Sequence, residues 1–223
     1  MKPRAIVSWS SGKDSAYTLQ VLRERAEVEI VALFTTLNRV HDRVAMHAVR
    51  RELLRAQAES AGLPLWEVDI PSPCSNAEYE DAMRGLVAKA RGHEVEVVAF
   101  GDLFLEDIRR YREERLEGSG LRPVFPLWGI PTSELAEQMI DRGIRAVLTC
   151  VDPRKLAPDL AGRSWDRALI AALPAGVDPC GENGEFHTFV TAGPMLASPL
   201  RVEVGQRVER DGFVFADVLP ASA

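Results

Sequence analysis

Apolar positions along this chain fall into short blocks divided by polar turns, and the blocks alternate between two spacings. AIVSW at 5–9 is a strand-like run, the small polar turn SSGKDS follows at 10–15, and helical spacing takes over from Ala16 to about Arg25. EIVALF at 29–34 predicts a second strand. Positions 44, 47, 51 and 54, with Leu53 and Ala58 beside them, keep helical spacing and predict a helix over 43–61 that Gly62 and Pro64 stop. LWEVDI at 65–70 reads as a strand, and a helix runs from about Ala77 to Arg91 with Asn76 as its cap. VEVVAFG at 95–101 is the next strand, a charged helix extends from Leu103 to about Glu117, and a helix from Thr132 or Ser133 leads to the strand RAVLTCV at 145–151.

This alternation predicts an α/β fold, a mainly parallel sheet covered by helices on both faces. Beyond Asp152 the texture changes: a short helix near 164–173 and a turn-rich stretch precede FHTFVTA at 186–192 and RVEVGQRVERDGFVFADV at 201–218, which read as strands joined by short turns. The expected organisation is a first domain over 1–150 and a smaller mixed α+β region over 151–223. Close packing of the two is expected, because no long linker, internal repeat or low-complexity tract separates them.

Composition narrows the class. The 223 residues carry 27 Lys and Arg against 33 Asp and Glu, a formal net charge of -6, so no global basic footprint favours nucleic acid. Charge is uneven, with nine basic and five acidic side chains in residues 1–51 but three basic and seven acidic in 175–223. Three cysteines without a C-x-x-C pair make no disulfide scaffold and point to a reducing compartment. Neither a signal peptide nor a membrane-length apolar run is present in the sequence, so the expected location is the cytoplasm.

The strongest local signal is SWSSGKDS at 8–15. Small residues between a strand and a helix let backbone N–H groups converge on an anion, and the helix adds its positive end. The pattern is neither G-x-x-x-x-G-K-[ST] nor G-x-G-x-x-G. Lys13 is the candidate for neutralising polyphosphate, Ser10, Ser11 and Ser15 offer hydroxyls beside Gly12, and Asp14 is a candidate loop anchor or magnesium ligand. The competing account is a helix start with Lys13 in solvent.

With TTLNRVHDRVAMHAVR at 35–50, GLPL at 62–65, GDLFLEDIRRYREERLEGSGLRPVFPLWG at 101–129 and CGENGEFHTFVTAGP at 180–194, the chain resembles the PP-loop, or N-type, ATP pyrophosphatases. Within them it is similar to the diphthine-ammonia ligase-like proteins. The resemblance implies a Rossmann-like sheet of the HUP type with ATP and magnesium as cofactors. It also implies adenylation of a carboxylate followed by attack of ammonia to give an amide, AMP and pyrophosphate. On this resemblance the loop at 10–15 holds pyrophosphate and the end of the second strand, Leu33, Phe34 and Thr35, lies near adenine and ribose. Ser11 stands where the family loop, SGGKDS, has a further glycine before the one kept as Gly12. A short side chain fits there if the backbone stays in an ordinary region.

Other positions carry alternatives. Gly101 and Asp102 end a strand at the edge where α/β sheets assemble ligands; Asp102 is a candidate for orienting substrate or binding magnesium, and equally a helix cap. Arg109 is a candidate substrate contact, although it, Arg110 and Arg112 also read as a solvated helix face. Glu182, Asn183, Glu185, His187 and Thr188 cluster in the turn before the strand at 186–192, where carboxylate and imidazole suit acid–base work, ammonium binding or metal placement, and where a polar hairpin is the competing reading. Arg39 and Arg43 are candidate phosphate contacts. Cys180 and the four tryptophans read as structural. The expected partners are ammonia or ammonium and a carboxylate, either a small molecule or a modified protein side chain; a homo-oligomer is compatible, and a membrane is not expected. Rival readings are a tRNA-thiolating ATP pyrophosphatase, disfavoured by the lack of paired cysteines and a basic RNA module, and a non-catalytic adenine-nucleotide sensor.

Overall fold

The computed structural model describes residues 1–38, 43–44, 49–71 and 74–221. Its first sheet is built on β1 (Arg4–Ser8), whose central residues are wholly buried, as expected of a strand covered on both faces. β1 lies parallel between β2 (Glu29–Asn38) and β5 (Val95–Ala99). β4 (Leu65–Ile70) extends the sheet beyond β2, and β6 (Arg122–Val124) extends it beyond β5, all parallel. A two-residue strand, β3 (Arg43–Val44), runs antiparallel to the last two residues of β2.

α1 (Lys13–Arg25), α2 (Arg51–Ser60) and α5 (Thr132–Asp141) pack into one apolar core together with the C-terminal half, through Leu19, Leu53, Leu54, Leu135 and Phe189. On the other face, α3 (Asn76–Gly92) covers Ile6, Ala32 and Val98 through Leu86 and Ala90, and α4 (Glu106–Leu116) follows β5.

The second sheet is antiparallel. Its centre is β7 (Arg145–Val151), paired with β9 (Phe186–Ala192), with β8 (Ser164–Trp165) and with β11 (Phe213–Pro220). β10 (Val202–Arg210) closes the edge against β11, and α6 (Arg167–Ala172) lies between β8 and β9 in sequence. The architecture is therefore a Rossmann-like, HUP-type parallel sheet with flanking helices and a smaller antiparallel C-terminal sheet.

Several sequence expectations shift. α1 begins at Lys13, not Ala16, which places Lys13, Asp14 and Ser15 in its first turn. The helix expected over 43–61 starts only at Arg51, because Arg43 and Val44 extend β2's hydrogen bonding instead. Ser75, not Asn76, caps α3, in a reciprocal box with Glu78. Asp102 caps nothing, since α4 begins after Leu105. β7 does not continue the parallel alternation: an apolar run seven residues long carries no mark of which sheet it joins.

Candidate active site

The loop at 10–15 is held from below. The Ser11 carbonyl accepts hydrogen bonds from Val190 N at 3.0 Å and from Gln57 Nε2 at 3.1 Å, tying the end of β1 to β9 and α2. Gln57 also donates to the Val190 carbonyl at 2.6 Å and accepts from Trp9 Nε1 at 3.0 Å, so this wholly buried amide is satisfied on both ends. Ser11 adopts φ of +72°, a left-handed conformation, so it does not stay in the ordinary region that would make a serine there cost-free. Its hydroxyl is buried with no hydrogen-bond partner.

Above this base the start of α1 turns towards the C-terminal half. Lys13 N donates to Thr188 Oγ1 at 3.2 Å, Gly12 N to Ser10 Oγ at 3.3 Å, and Ser15 Oγ to the Gly12 carbonyl at 2.9 Å. The Lys13 side chain is only 2% exposed, which rules out the solvent-facing alternative. Its ammonium donates to Asp14 Oδ2 at 2.9 Å and to the Cys180 carbonyl, and lies 5.6 Å from the centres of both the Trp165 and Phe186 rings. Burial works against this charge, but Asp14 and the neighbouring acidic groups outweigh it and hold the Lys13 ammonium above its ordinary value. A protonated cation at a helix N-terminus is an arrangement suited to receiving an anion.

The facing turn, 178–188, is folded around two carboxyl groups. Asp178 Oδ2 accepts from Glu182 N at 2.7 Å, and Glu185 Oε1 accepts from Asp178 N at 3.3 Å and from Asn183 Nδ2 at 3.2 Å. Gly181 sits at φ of +72°, where a Cβ would come within 2.8 Å of the Phe186 carbonyl. This fold sends Glu182 towards the segment between β5 and α4, where Oε1 accepts from Leu103 N at 2.8 Å. Burial, reinforced by the nearby Asp14 and Asp102, pushes the Glu182 carboxyl up to about 7. Burial, followed by the Lys13 charge, pulls His187 down to about 4, so its imidazole is neutral at neutral pH.

Loop, turn and sheet edge line one cavity of about 930 Å³, at the upper end of the roughly 300–1,000 Å³ usual for small-ligand sites. Of the sequence candidates it brings together Ser10, Lys13, Asp14, Ser15, Phe34, Thr35, Asp102, Glu182, His187 and Thr188. Gly101 also lines it, at a point where a Cβ would lie 3.0 Å from the Asp14 carbonyl carbon, so β5 ends directly against α1. Ser11 and Gly12 form the floor of the loop, and Leu33 is buried in the core. Glu185 is 2% exposed and turns inward to close its own loop, while the Asn183 carbonyl accepts from Lys155. Arg109 stands outside the cavity lining, stacked over Phe125 and Trp128 at 5.0 and 4.8 Å and paired with Glu113. Arg39 lies outside the described residues, and of Arg43 only the backbone is described. Cys180 is buried, with its thiol raised by desolvation, as suits a packing residue rather than a nucleophile.

Gln57, which the sequence did not single out, and Arg112, read there as part of a solvated helix face, both contribute. Gln57 is the clamp under the loop, and a buried glutamine on an otherwise apolar helix face is the signal that could have found it. Arg112 reaches into the cavity from α4, against Asp102 at 3.4 Å and over Phe100 at 4.9 Å.

Among the described residues no group of three or more His, Cys, Asp or Glu side chains is arranged to hold a metal ion unaided. Magnesium bound with phosphate needs only one or two protein carboxylates. Asp14 fits that need: Oδ2 is engaged by Lys13, whereas Oδ1 is buried without a hydrogen-bond partner at the cavity wall.

Residues 3–123 match the family model described as Diphthamide synthase N-terminal domain, and residues 131–217 match Diphthamide synthase C-terminal domain. The chain is 28% identical over 240 residues to a protein of Bos taurus named diphthine–ammonia ligase, covering 98% of this chain and 89% of that protein. A Danio rerio protein of the same name is 29% identical over 235 residues, with 94% and 90% covered. The Homo sapiens protein of that name is 27% identical over 240 residues, with 98% and 89% covered. With both halves of its architecture and the signature turn at 180–194 accounted for, this chain belongs to the diphthamide synthase family.

Proposed function

We propose that this protein is an ATP-dependent, amide-forming ligase that activates a carboxylate with ATP and transfers it to ammonia. The carboxylate oxygen attacks the α-phosphorus, and the bond to the leaving pyrophosphate breaks. Ammonia nitrogen then attacks the acyl carbon, the bond to AMP breaks, and a proton leaves nitrogen. The observation that carries this reading is the union of loop and turn: Lys13, the first turn of α1 and Glu182 line one cavity, although they lie far apart in sequence.

Each group has a role that follows from its surroundings. Lys13 and the α1 N-terminus receive the charge that develops on pyrophosphate, in a site dry enough for that interaction to be strong. Phe34 and Thr35, on β2 beside the end of β1, flank the adenosine. Magnesium, held by Asp14, would neutralise phosphate charge. Glu182, poised near neutrality, accepts the proton released by the attacking nitrogen, and neutral His187 serves as a hydrogen-bonding partner rather than an acid.

The test is incubation with magnesium, ATP, ammonium and a panel of carboxylates, following nucleotide, pyrophosphate and product mass. AMP and pyrophosphate formed one for one with an amide are expected. ADP and phosphate as the main products would overturn the reading.

A further inference from the structure

The cavity is larger than the phosphate loop requires, and its far arm runs between α3 and α4. Met83 and Val87 on α3 face Leu105, Ile108 and Leu116 across it, all half-buried and lining the cavity. These side chains give the arm an apolar floor, with charged residues such as Glu80, Arg84 and Arg115 along its rim and one cation at its inner end. There Arg112, 30% exposed, lies over the Phe100 ring and donates from Nε to Asp102 Oδ2 at 3.4 Å. That contact is long for a charged pair and engages one nitrogen only. Among the described residues the two terminal nitrogens of Arg112 make no hydrogen bond, so a planar donor fork is left facing the cavity. The other arginines lining the arm, Arg84, Arg91 and Arg115, are exposed where Arg112 is half-buried, and two of them are held in ion pairs, Arg115 with Glu80 at 2.7 Å and Arg84 with Asp81 at 2.9 Å.

We infer that this arm is the acceptor subsite, with Arg112 binding the acceptor's carboxylate, so that the acceptor is a carboxylate on an extended apolar stem. The inference rests on the ligase reading for its chemical purpose, but not for its physical basis. An arginine fork matches two carboxylate oxygens. Asp102 holds the guanidinium from one side without occupying the fork. Stacking on Phe100 fixes its plane. Glu182 interacts electrostatically with both Asp102 and Lys13, so a carboxylate on Arg112 lies in the same chamber as the phosphate loop and the proposed base. A short acid would leave that apolar floor uncovered, whereas a stem of several carbons would cover it and gain affinity with each methylene buried.

Titration calorimetry with octanoate, butyrate and octanol tests this, with ATP titrated in parallel. Octanoate is expected to bind at least ~10-fold more tightly than either butyrate or octanol. Arg112→Met keeps the stem over Phe100 and is expected to weaken octanoate by roughly 10- to 100-fold while ATP affinity stays within about twofold. Arg112→Lys, with charge but no fork, should fall between them and guards against a folding defect in the methionine variant. Octanoate binding no tighter than octanol, or equal in wild type and both variants, overturns the inference. A short peptide bearing the octanedioic acid monoamide carries the same head and stem on polypeptide: tighter binding than octanoate assigns a protein-borne acceptor, and weaker binding a free acid. Octanoate binding through Arg112 with no AMP formed from any carboxylate would sink the ligase reading and leave the subsite standing.

Discussion

The loop at 10–15 and the turn at 178–188 meet at one point, yet each holds its charge differently. Lys13 is buried with an anionic partner beside it, so its ammonium stays charged despite desolvation. Burial of Glu182, with Asp14 and Asp102 nearby, outweighs the Leu103 N–H and the Lys13 ammonium, so its carboxyl rises to about 7. Burial acts on both, and it is overcome by neighbouring acidic groups at Lys13 but left to prevail at Glu182. The backbones form a second pair, since Ser11 and Gly181 share φ of +72°, one with a side chain and one without. A loop with a fixed cation and a turn with a titratable acid suit a site that must hold phosphate at every pH and move a proton near neutrality.

The largest effect expected from breaking this contrast is at Lys13. Lys13→Ala removes the fixed cation and should lower kcat/KM for AMP formation by about 10³-fold, in line with the loss of a main electrostatic contact in a dry site. Thermal melting of the same variant separates this from unfolding. Glu182→Gln removes the titratable side and should cost on the order of 10²-fold in kcat.

The sign of the Glu182 shift yields a sharper test. Between pH 4.5 and about 7 the folded state holds this proton more tightly than the unfolded state, so the group's contribution to stability declines as pH rises through that window. Glu182→Gln should therefore be more stable than wild type at pH 8 by about 1–3 kcal/mol in urea titrations, with the gain gone at pH 4.5. In the wild type, log kcat/KM should climb with pH and level off above about 7; a flat profile from pH 5 to 8 would remove Glu182 from the role of base.

Backbone changes act through the fold rather than through the charges. Gly181→Ala forces a Cβ to within 2.8 Å of the Phe186 carbonyl and should cost about 2–4 kcal/mol in stability, with Glu182 displaced and its pH signature lost. Ser11→Gly works in the opposite sense. It relieves a left-handed serine and deletes a buried unpaired hydroxyl, and it should stabilise the fold by about 1 kcal/mol after glycine's entropic penalty. A loss of stability there would mean that the Ser11 hydroxyl has a partner in solution.

Legibility from sequence followed the range of the forces involved. β4, β7 and β9 are found at the residues their apolar runs predicted, because a buried strand announces itself locally. The start of α2 was not legible, since helical spacing continued through Arg43 and Val44 while pairing with β2 won there. Asp102 looked like a cap because aspartate before a helix usually is one; its actual partner, Arg112, lies on the far side of a helical turn that begins later than the spacing suggested. Glu185 and Glu182 were indistinguishable in the motif. Two glycine turns send one into the interior of its own loop and the other to Leu103.

The sequence by itself determined the alternation of strands and helices, the strand–turn–helix setting of SSGKDS and the family to which the signature turn belongs, because each is written in contiguous residues. Only the tertiary structure decided that β7 leaves the parallel sheet, that Gln57 clamps the loop to β9, and that Lys13 and Glu182 face one cavity. Those outcomes depend on burial and on charges brought together from distant parts of the chain, and neither quantity exists until the two sheets have packed.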